Sequence, residues 1–231
     1  MAPDYISAYW GKAQAATSDG QQWHPLAYHC LDVAAVADAL LSRSPRKLFR
    51  LAEFCRTSPD VLRRALVVMI ALHDIGKFSL HFQAKSEAGW QTSAHGPRPD
   101  PKAGIRHDAI GYAMLDTVEL DDKLGPNFSD GIDDELWTAV AGHHGAPATE
   151  PHSHWRHGLQ KGPDKAAKAF VADVVEFLPA LDSVPCLSKR ASAILSWSVA
   201  GLTVISDWIG SSERWFPYTA PDLSLHDPSS A

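Results

Sequence analysis

Apolar residues recur along most of the chain with the spacing of α-helices. Between residues 26 and 41 they follow a period close to 3.6, and Pro25 suits the first helical turn, where its missing N–H is not needed. Pro59 opens a second apolar segment that runs to Leu72, and Gly76 is predicted to supply its stop. Further helices are predicted over residues 105–115, 133–141, 165–178 and 189–209.

The same pattern argues against a large sheet. No segment alternates apolar and polar residues for long enough to require strands, although residues 67–70 are β-prone in isolation. The prediction is therefore an all-α fold, a compact domain of roughly eight to ten helices. Residues 85–103 and 145–163 are predicted to be long loops, and the second mixes His, Arg and Lys with Trp155. That composition suits a single-stranded nucleic acid, but it equally suits a polar loop with the tryptophan packed on the core.

Composition places the chain among globular proteins. It is 45% hydrophobic with eight tryptophans, so a sizeable core can form. The longest uninterrupted apolar run covers residues 65–72, far short of the ~20 residues that span a bilayer, and residues 1–10 lack the features of a signal peptide. The three cysteines Cys30, Cys55 and Cys186 include no CxxC pair, which is typical of a reducing compartment. We expect a soluble cytoplasmic protein without a membrane partner.

Charge leaves nucleic-acid binding open. The net charge of −6 is not typical of a dedicated nucleic-acid binder. However, basic residues concentrate in residues 43–64, the acidic ones in residues 116–135, and bound divalent cations would offset part of the negative charge. The basic stretch is predicted to be a solvated helical face, with contact to a nucleic-acid strand as the alternative.

Histidine and aspartate residues stand at the ends of predicted helices. One His-Asp pair follows the apolar segment that starts at Pro59, and one His-His pair follows the helix over residues 133–141. Helices that end at a common centre can aim such side chains inward. Neutral imidazoles bind metal ions, and a carboxylate can bridge two cations. A single buried histidine is more often a core residue, but the set as a whole favours metal binding. The candidate ligands are His29, His73, Asp74, His107, His143, His144 and Asp207.

The order of these residues, H…HD…H…HH…D, resembles the two-metal phosphohydrolases of the HD superfamily. The flanking segments are more specific, because they resemble the nuclease domain of the CRISPR-associated nuclease-helicase. They are Trp10-Gly11-Lys12, Trp23-His24-Pro25-Leu26, His73-Asp74-Ile75-Gly76-Lys77 with Phe82-Gln83, Gly142-His143-His144-Gly145, Ser206-Asp207-Trp208-Ile209-Gly210-Ser211 and Phe216-Pro217-Tyr218. The resemblance covers residues 9–218. It implies an HD-type metal-dependent nuclease domain over residues 1–218 and a tail or linker over residues 219–231.

The resemblance also implies a central site for two metal ions. One ion would be held by His29, His73, Asp74 and Asp207, and the second by Asp74, His107, His143 and His144, so that Asp74 is the catalytic bridge. Two divalent cations ~3.5–4 Å apart can activate water, orient a phosphate and stabilise the leaving oxygen. The histidine-rich ligand set favours the transition metals Mn, Fe, Co or Ni, with Mg possible.

Three further residues are candidates for contact with the substrate. Lys77 follows the predicted bridge by one turn, and Ser211 follows Asp207 by four residues, so both are predicted to contact the scissile phosphate, with Lys77 also assigned to catalysis. The alternative for Lys77 is a solvated lysine near a helix C-terminus, where cations are favoured. His24 is predicted either to approach the substrate or to cap the helix that begins at Pro25.

The function implied by the resemblance is an endo- or exodeoxyribonuclease of CRISPR antiviral defence that prefers single-stranded DNA. An HD-type nucleotide or cyclic-dinucleotide phosphohydrolase is the alternative, although the chain contains no GYP signature. A third hypothesis is an interaction module with a structural metal site. The chain has no G-x-x-x-x-G-K-[ST] phosphate loop and should not hydrolyse ATP by that route. The implied partners are single-stranded DNA, a DNA helicase domain or subunit, and a CRISPR target-recognition complex.

Overall fold

The computed structural model describes residues 4–14, 22–101, 106–117, 134–146, 155–159, 162–178 and 187–221. These residues are predominantly helical, which confirms the all-α prediction. Their helices are α1 (Asp4–Ala8), α2 (Leu26–Ser42), α3 (Pro45–Phe54), α4 (Pro59–Ala71), α5 (Leu80–Gln83), α6 (Thr92–His95), α7 (His107–Thr117), α8 (Asp134–Ala141), α9 (Pro163–Phe177) and α10 (Lys189–Gly210). Short 3-10 turns cover Ile75–Phe78, Gly142–His144 and Trp155–Leu159.

Local sequence signals set the starts of the long helices. At α4 the Ser58 hydroxyl accepts a hydrogen bond from the Val61 N–H, and Pro59 occupies the first turn. At α10 the Ser188 hydroxyl accepts from the Ala191 N–H. Helix α3 lies in the basic stretch of residues 43–64, which was predicted to be a solvated helical face, and within it only Leu48 and Ala52 are buried.

Helix α2 lies at the centre of the domain, where it packs against α4 and α10. Its side chains at Leu26, Cys30 and Val33 are completely buried. Helix α10 also packs on α8. By length and composition alone α10 could cross a membrane, a test that core helices of soluble proteins also pass. It buries Leu195 and Val199 against its neighbours and exposes Trp197 and Trp208. Full burial of a leucine or valine side chain contributes about 1.5–3 kcal/mol.

The described residues also contain a small two-stranded antiparallel sheet that the sequence pattern did not indicate. Strands β1 (Trp10–Ala13) and β2 (Trp23–Pro25) pair with Lys12 opposite His24. They are too short for alternation to be visible in the sequence. A Cβ on Gly11 would lie 2.9 Å from the Cα of Leu26 and 3.0 Å from the Cβ of His29. The absence of a side chain at Gly11 therefore lets β1 press directly on α2.

Gly76 does not end α4, contrary to the prediction. That helix ends at Ala71, and Gly76 lies inside the 3-10 turn Ile75–Phe78. A Cβ at Gly76 would lie 1.9 Å from the carbonyl oxygen of His107 and 2.5 Å from the backbone nitrogen of Gly111. The glycine is thus required for close packing of this turn on α7, a contact that no local sequence pattern reveals.

The predicted loop over residues 85–103 is partly ordered by internal hydrogen bonds. It contains α6, and the buried indole of Trp90 donates to the carbonyl oxygen of Gly96 at 2.9 Å. The guanidinium of Arg98 donates to the carbonyl oxygen of Ala84 at 2.9 Å. Most of the second predicted loop, residues 145–163, lies outside the described residues, as do the side chain of Trp155 and residues 222–231 of the predicted tail.

Candidate metal centre

Five elements bring the seven predicted ligands to one place. His29 projects from the first turn of α2, and Asp207 lies in the last turn of α10. His73 and Asp74 lie in the turn that follows α4, and His107 is the first residue of α7. The pair His143 and His144 occupies the 3-10 turn that follows α8. The ligating atoms form two groups of four that share Asp74, and within each group all lie within 4.8 Å of one another.

The inner group consists of His29, His73, Asp74 and Asp207 and is buried throughout. Asp74 Oδ2 lies 3.0 Å from His29 Nε2 and 3.2 Å from His73 Nε2. Asp207 Oδ1 lies 3.4 Å from His29 Nε2 and 3.7 Å from His73 Nε2. Two imidazole nitrogens and two carboxylate oxygens therefore face one another at the distances expected around a small cation.

The outer group consists of Asp74, His107, His143 and His144 and reaches the surface. The second oxygen of the shared carboxylate, Asp74 Oδ1, lies 3.1 Å from His107 Nε2 and 3.6 Å from His143 Nε2. His144 Nε2 lies 3.0 Å from His107 Nε2. The side chain of His143 is buried, whereas His144 is exposed, so this group is open on one side.

Backbone hydrogen bonds orient two of the imidazoles for metal binding. Nδ1 of His73 lies 2.8 Å from the carbonyl oxygen of Ile70, and Nδ1 of His143 lies 3.0 Å from that of Val140. A carbonyl accepts only, so each ring donates from Nδ1, and Nε2, which faces the centre, is the atom left to bind a metal ion. Among the described residues these two buried Nε2 atoms have no hydrogen-bond partner. The donor set thus fits divalent cations, which would satisfy both nitrogens.

Burial keeps most of the imidazoles neutral, the state in which they bind metals. Burial lowers the pKa of His29 well below its usual value, lowers that of His107, and lowers that of His143 to about 3. His73 differs, because the carboxylates of Asp74 and Asp207 outweigh the effect of burial and raise its pKa to about 9. A cation bound at the inner group therefore has to displace a proton from His73 below that pH.

The shared carboxylate remains ionised although it is buried. Burial alone would raise the pKa of Asp74, but Lys77 and His73 outweigh it and hold the pKa well below the usual range. The Lys77 ammonium lies 2.5 Å from Asp74 Oδ2 and donates to the carbonyl oxygen of Gly11 at 3.1 Å. Lys77 is buried, so it is not the solvated lysine of the alternative interpretation. Its contact with a substrate phosphate stays a prediction.

Ser211 and His24 make contacts within the protein. The Ser211 hydroxyl donates to Asp207 Oδ1 at 2.8 Å and so helps to orient that carboxylate. His24 makes no cap for α2. Its Nε2 lies 3.0 Å from Asp32 Oδ2, its Nδ1 accepts from the Thr219 N–H at 3.3 Å, and its ring stacks on Tyr218. We name this arrangement the His24 clasp. Substrate contact by Ser211 or His24 stays a prediction.

Sequence reasoning overlooked two residues beside the centre. The buried amide of Gln83 donates to the carbonyl oxygens of Trp10 and Lys77 at 3.0 and 2.7 Å, and its oxygen accepts from the Trp10 N–H at 3.1 Å. It therefore ties β1 to the turn that follows Asp74. Lys12, the second overlooked residue, lies with its ammonium 3.4 Å from Asp207 Oδ1. The Trp10-Gly11-Lys12 and Phe82-Gln83 segments were visible in the sequence, but nothing there indicated these contacts.

The family of the chain follows from its match to known proteins. Residues 10–216 match the family described as "Cas3, HD domain". The chain belongs to this family. The HD domain of Cas3 is a metal-dependent nuclease, which places the chain in that class of CRISPR-associated enzymes and confirms the predicted class.

Named relatives agree with membership of the Cas3 HD family. The chain is 32% identical over 235 residues to the "CRISPR-associated endonuclease/helicase Cas3" of Escherichia coli (strain K12), which covers 90% of this chain and 26% of that protein. It thus spans about a quarter of the length of the curated relatives it matches. The Thermus thermophilus Cas3 HD domain crystallised in the presence of Ni²⁺ superposes with a TM-score of 0.61 at 26% identity, over 86% of this chain and 76% of that one.

Proposed function

We propose that the chain is a nuclease domain that hydrolyses DNA phosphodiester bonds, preferentially in single strands, with one divalent cation at each of the two ligand groups. The observation that carries this proposal is the position of Asp74. Its Oδ2 faces the inner group and its Oδ1 faces the outer group, so a single carboxylate can contact both cations. When bound, such a pair of cations activates a water molecule and stabilises the leaving oxygen of a phosphodiester.

The protein side chains position these groups before the substrate arrives. Lys77 holds the Asp74 carboxylate ionised and fixed, and Ser211 donates to Asp207. The carbonyl oxygens of Ile70 and Val140 fix the rings of His73 and His143. Exposure of His144 leaves one side of the outer group open to solvent. We assign the approach of the phosphodiester to this open side.

The nature of the ligands supports transition metals as the physiological ions. Five of the seven proposed ligands are imidazoles, which suit manganese, iron, cobalt and nickel better than magnesium. The related Thermus thermophilus domain was crystallised in the presence of Ni²⁺, which is consistent with this ligand chemistry. We therefore propose Mn, Fe, Co or Ni at both positions, with Mg as a possible substitute.

We propose that the chain acts in the cytoplasm, as part of CRISPR antiviral defence. The Escherichia coli relative is named an endonuclease/helicase and is about four times the length matched here. A further structural neighbour, at 22% identity and a TM-score of 0.67, belongs to a structure titled "CRISPR RNA-guided surveillance complex, pre-nicking". On this basis a DNA helicase domain or subunit and a CRISPR target-recognition complex are the proposed partners. A helicase would supply the single strand that the nuclease cuts.

A substrate panel tests the proposal directly. The purified chain is incubated with circular single-stranded DNA, linear single-stranded DNA, duplex DNA, mononucleotides and cyclic dinucleotides, each with Mn²⁺, Co²⁺, Ni²⁺ or Mg²⁺. We expect linearised circles and fragments of linear strands, with slower loss of duplex. Degradation of linear strands alone would assign an exonuclease. Turnover of nucleotides without any cleavage of DNA would overturn the proposal in favour of a nucleotide or cyclic-dinucleotide phosphohydrolase.

A further inference from the structure

Strand β1 fixes the backbone of Lys12 beside the inner group. The backbone of Gly11 packs against α2 at the position of His29, and its carbonyl oxygen accepts a hydrogen bond from Lys77 Nζ at 3.1 Å. Lys12 itself pairs with His24 of β2. The strand is thus anchored on both sides of the lysine. Only the flexible side chain of Lys12 is free to adjust.

Two ammonium groups contact the inner group, and they differ in accessibility. Lys77 is buried and lies 2.5 Å from Asp74 Oδ2. The side chain of Lys12 is 25% exposed, and its ammonium lies 3.4 Å from Asp207 Oδ1. That oxygen already accepts the Ser211 hydroxyl at 2.8 Å. The contact of Lys12 with Asp207 is therefore longer than that of Lys77 with Asp74, and Lys12 is the more exposed of the two lysines.

The balance of charge at the inner group determines what Lys12 can bind. Two carboxylates, of Asp74 and Asp207, face the two ammonium groups of Lys12 and Lys77, so these four charges cancel. Divalent cations bound by the proposed ligands add a large positive excess. An ammonium beside such a cation is unfavourable unless an anion lies between them. A phosphodiester oxygen is an anion of the required size, and a lysine binds phosphate as a point charge.

We propose that Lys12 binds a non-bridging oxygen of a substrate phosphate at the solvent-facing edge of the inner group. This inference rests on the proposed nuclease function and names a residue that contacts its substrate. Lys12 is then a substrate-binding residue and not a support for the metal ligands. Because Lys12 is partly exposed and Lys77 is buried, Lys12 is the more accessible of the two ammonium groups to a phosphate.

The experiment compares Lys12→Ala with Lys12→Arg and with the control variant Lys189→Ala. Lys189 is an exposed lysine at the other end of α10 from Asp207, about five helical turns away, so its removal changes the net charge equally without affecting the centre. Binding of Mn²⁺ is measured by calorimetry. Affinity for a labelled phosphorothioate single-stranded DNA is measured by fluorescence anisotropy at several salt concentrations, and gels verify that the strand stays intact. Steady-state cleavage of ordinary single-stranded DNA gives kcat and KM.

For Lys12→Ala we expect unchanged manganese stoichiometry, DNA affinity weakened about tenfold, and a corresponding increase in KM. The slope of log affinity against log salt concentration should become shallower by about 0.7, the change expected from loss of one phosphate contact in a single strand. Lys12→Arg should recover most of the affinity because it retains the charge. Lys189→Ala should match the wild type in every measurement.

The possible failures are distinguishable. A wild-type chain that neither binds nor cleaves DNA overturns the proposed function and this inference together. If the wild type cleaves and Lys12→Ala behaves as Lys189→Ala does, the inference alone is overturned. Loss of manganese from Lys12→Ala would also overturn it, because Lys12 would then position Asp207 instead of binding the substrate.

Discussion

The inner and outer ligand groups share one carboxylate but differ in their surroundings. The side chains of His29 and His73 are completely buried, and that of Asp207 is nearly so. In the outer group His144 is exposed and the side chain of His107 is 14% exposed. The inner group lies between α2 and the helices packed against it. The outer group is formed where the start of α7 meets the 3-10 turn after α8, and the exposed His144 leaves it open on one side.

This difference predicts a division of labour between two proposed metal positions. A buried site exchanges its ion slowly, and its empty state leaves buried polar atoms without partners, so occupancy and folding are coupled. An open site can exchange ions and accept a substrate oxygen. We therefore expect the inner position to contribute most to stability and the outer position to hold its ion less tightly. The following predictions test that comparison, beginning with the residue that the two groups share.

The largest effect is expected for Asp74→Asn. Loss of the shared negative charge should reduce cleavage of circular single-stranded DNA below detection and lower bound manganese at both positions, as measured by elemental analysis. It also leaves the buried Lys77 ammonium without its carboxylate, which costs about 3–5 kcal/mol. The double variant Asp74→Asn with Lys77→Met removes that unpaired charge and should fold while remaining inactive.

The control for Asp74 is Asp38→Asn, which changes an exposed carboxylate that pairs with Arg63. This variant should cleave DNA as the wild type does. Retention of both cleavage and manganese by Asp74→Asn would contradict the assignment of the shared ligand, and the inner and outer groups would then not form one centre.

The next effect separates the two groups. His29→Ala should abolish binding at the inner position and lower the free energy of unfolding by about 2–4 kcal/mol, because it creates a buried cavity beside Asp74. His144→Ala should leave the inner ion in place and change stability by no more than about 0.5 kcal/mol, because the side chain is exposed. The affinity of the His144→Ala variant for the ion at the outer position should fall by roughly 10–100-fold. Manganese titration calorimetry measures ion binding in both variants. Equal losses of ion binding in the two variants would show that the inner and outer positions do not differ.

A smaller effect is expected for Gly76→Ala, which forces α7 away from the turn that follows Asp74. The added methyl group would overlap the His107 carbonyl, so we expect a loss of about 1–3 kcal/mol and weaker binding at the outer position only. The matched control is Gly201→Ala on α10, where an added Cβ would have no atom of the described residues within 4 Å. Because alanine has the higher helix propensity, this variant should be more stable by about 0.5–1 kcal/mol. Urea denaturation measures both variants. A neutral Gly76→Ala would show that the close contact is not needed.

The smallest effect is expected for His24→Ala. The His24 clasp contributes two side-chain hydrogen bonds, so the loss should be about 1–2 kcal/mol, with kcat unchanged within about twofold. Thermal denaturation and steady-state cleavage measure the two quantities. A large fall in cleavage with unaltered stability would instead support contact between His24 and the substrate.

The sequence predicted the long helices and the seven candidate ligands, but not the contacts that support them. Helix α2 was predicted over residues 26–41 and is observed over Leu26–Ser42, because its buried positions repeat regularly. The seven candidate ligands could be selected because their order along the chain resembles a family pattern, and the structure brings them together. By contrast, the role of Gly76 depends on the backbone of α7, and that of Gln83 depends on β1. Such tertiary contacts leave no periodic signal in the sequence.

The two lysines beside the centre show the same limit. The sequence placed Lys77 shortly after Asp74 but did not show that its ammonium is buried against that carboxylate, and its contact with a substrate phosphate stays a prediction. Lys12 lies far from Asp207 along the chain, and only the pairing of β1 with β2 and the close approach of Gly11 to α2 bring the two together. The sequence alone therefore did not show that Lys12, the more accessible of the two lysines, lies beside the inner group.

The His24 clasp also gives the domain a mechanical property. His24, whose ring stacks on Tyr218 and accepts a hydrogen bond from the Thr219 N–H, lies on β2 directly opposite Lys12 of β1. A displacement of Tyr218 and Thr219 would therefore be passed through one pair of strands to Lys12, at the edge of the inner group, without any metal ligand having to move first.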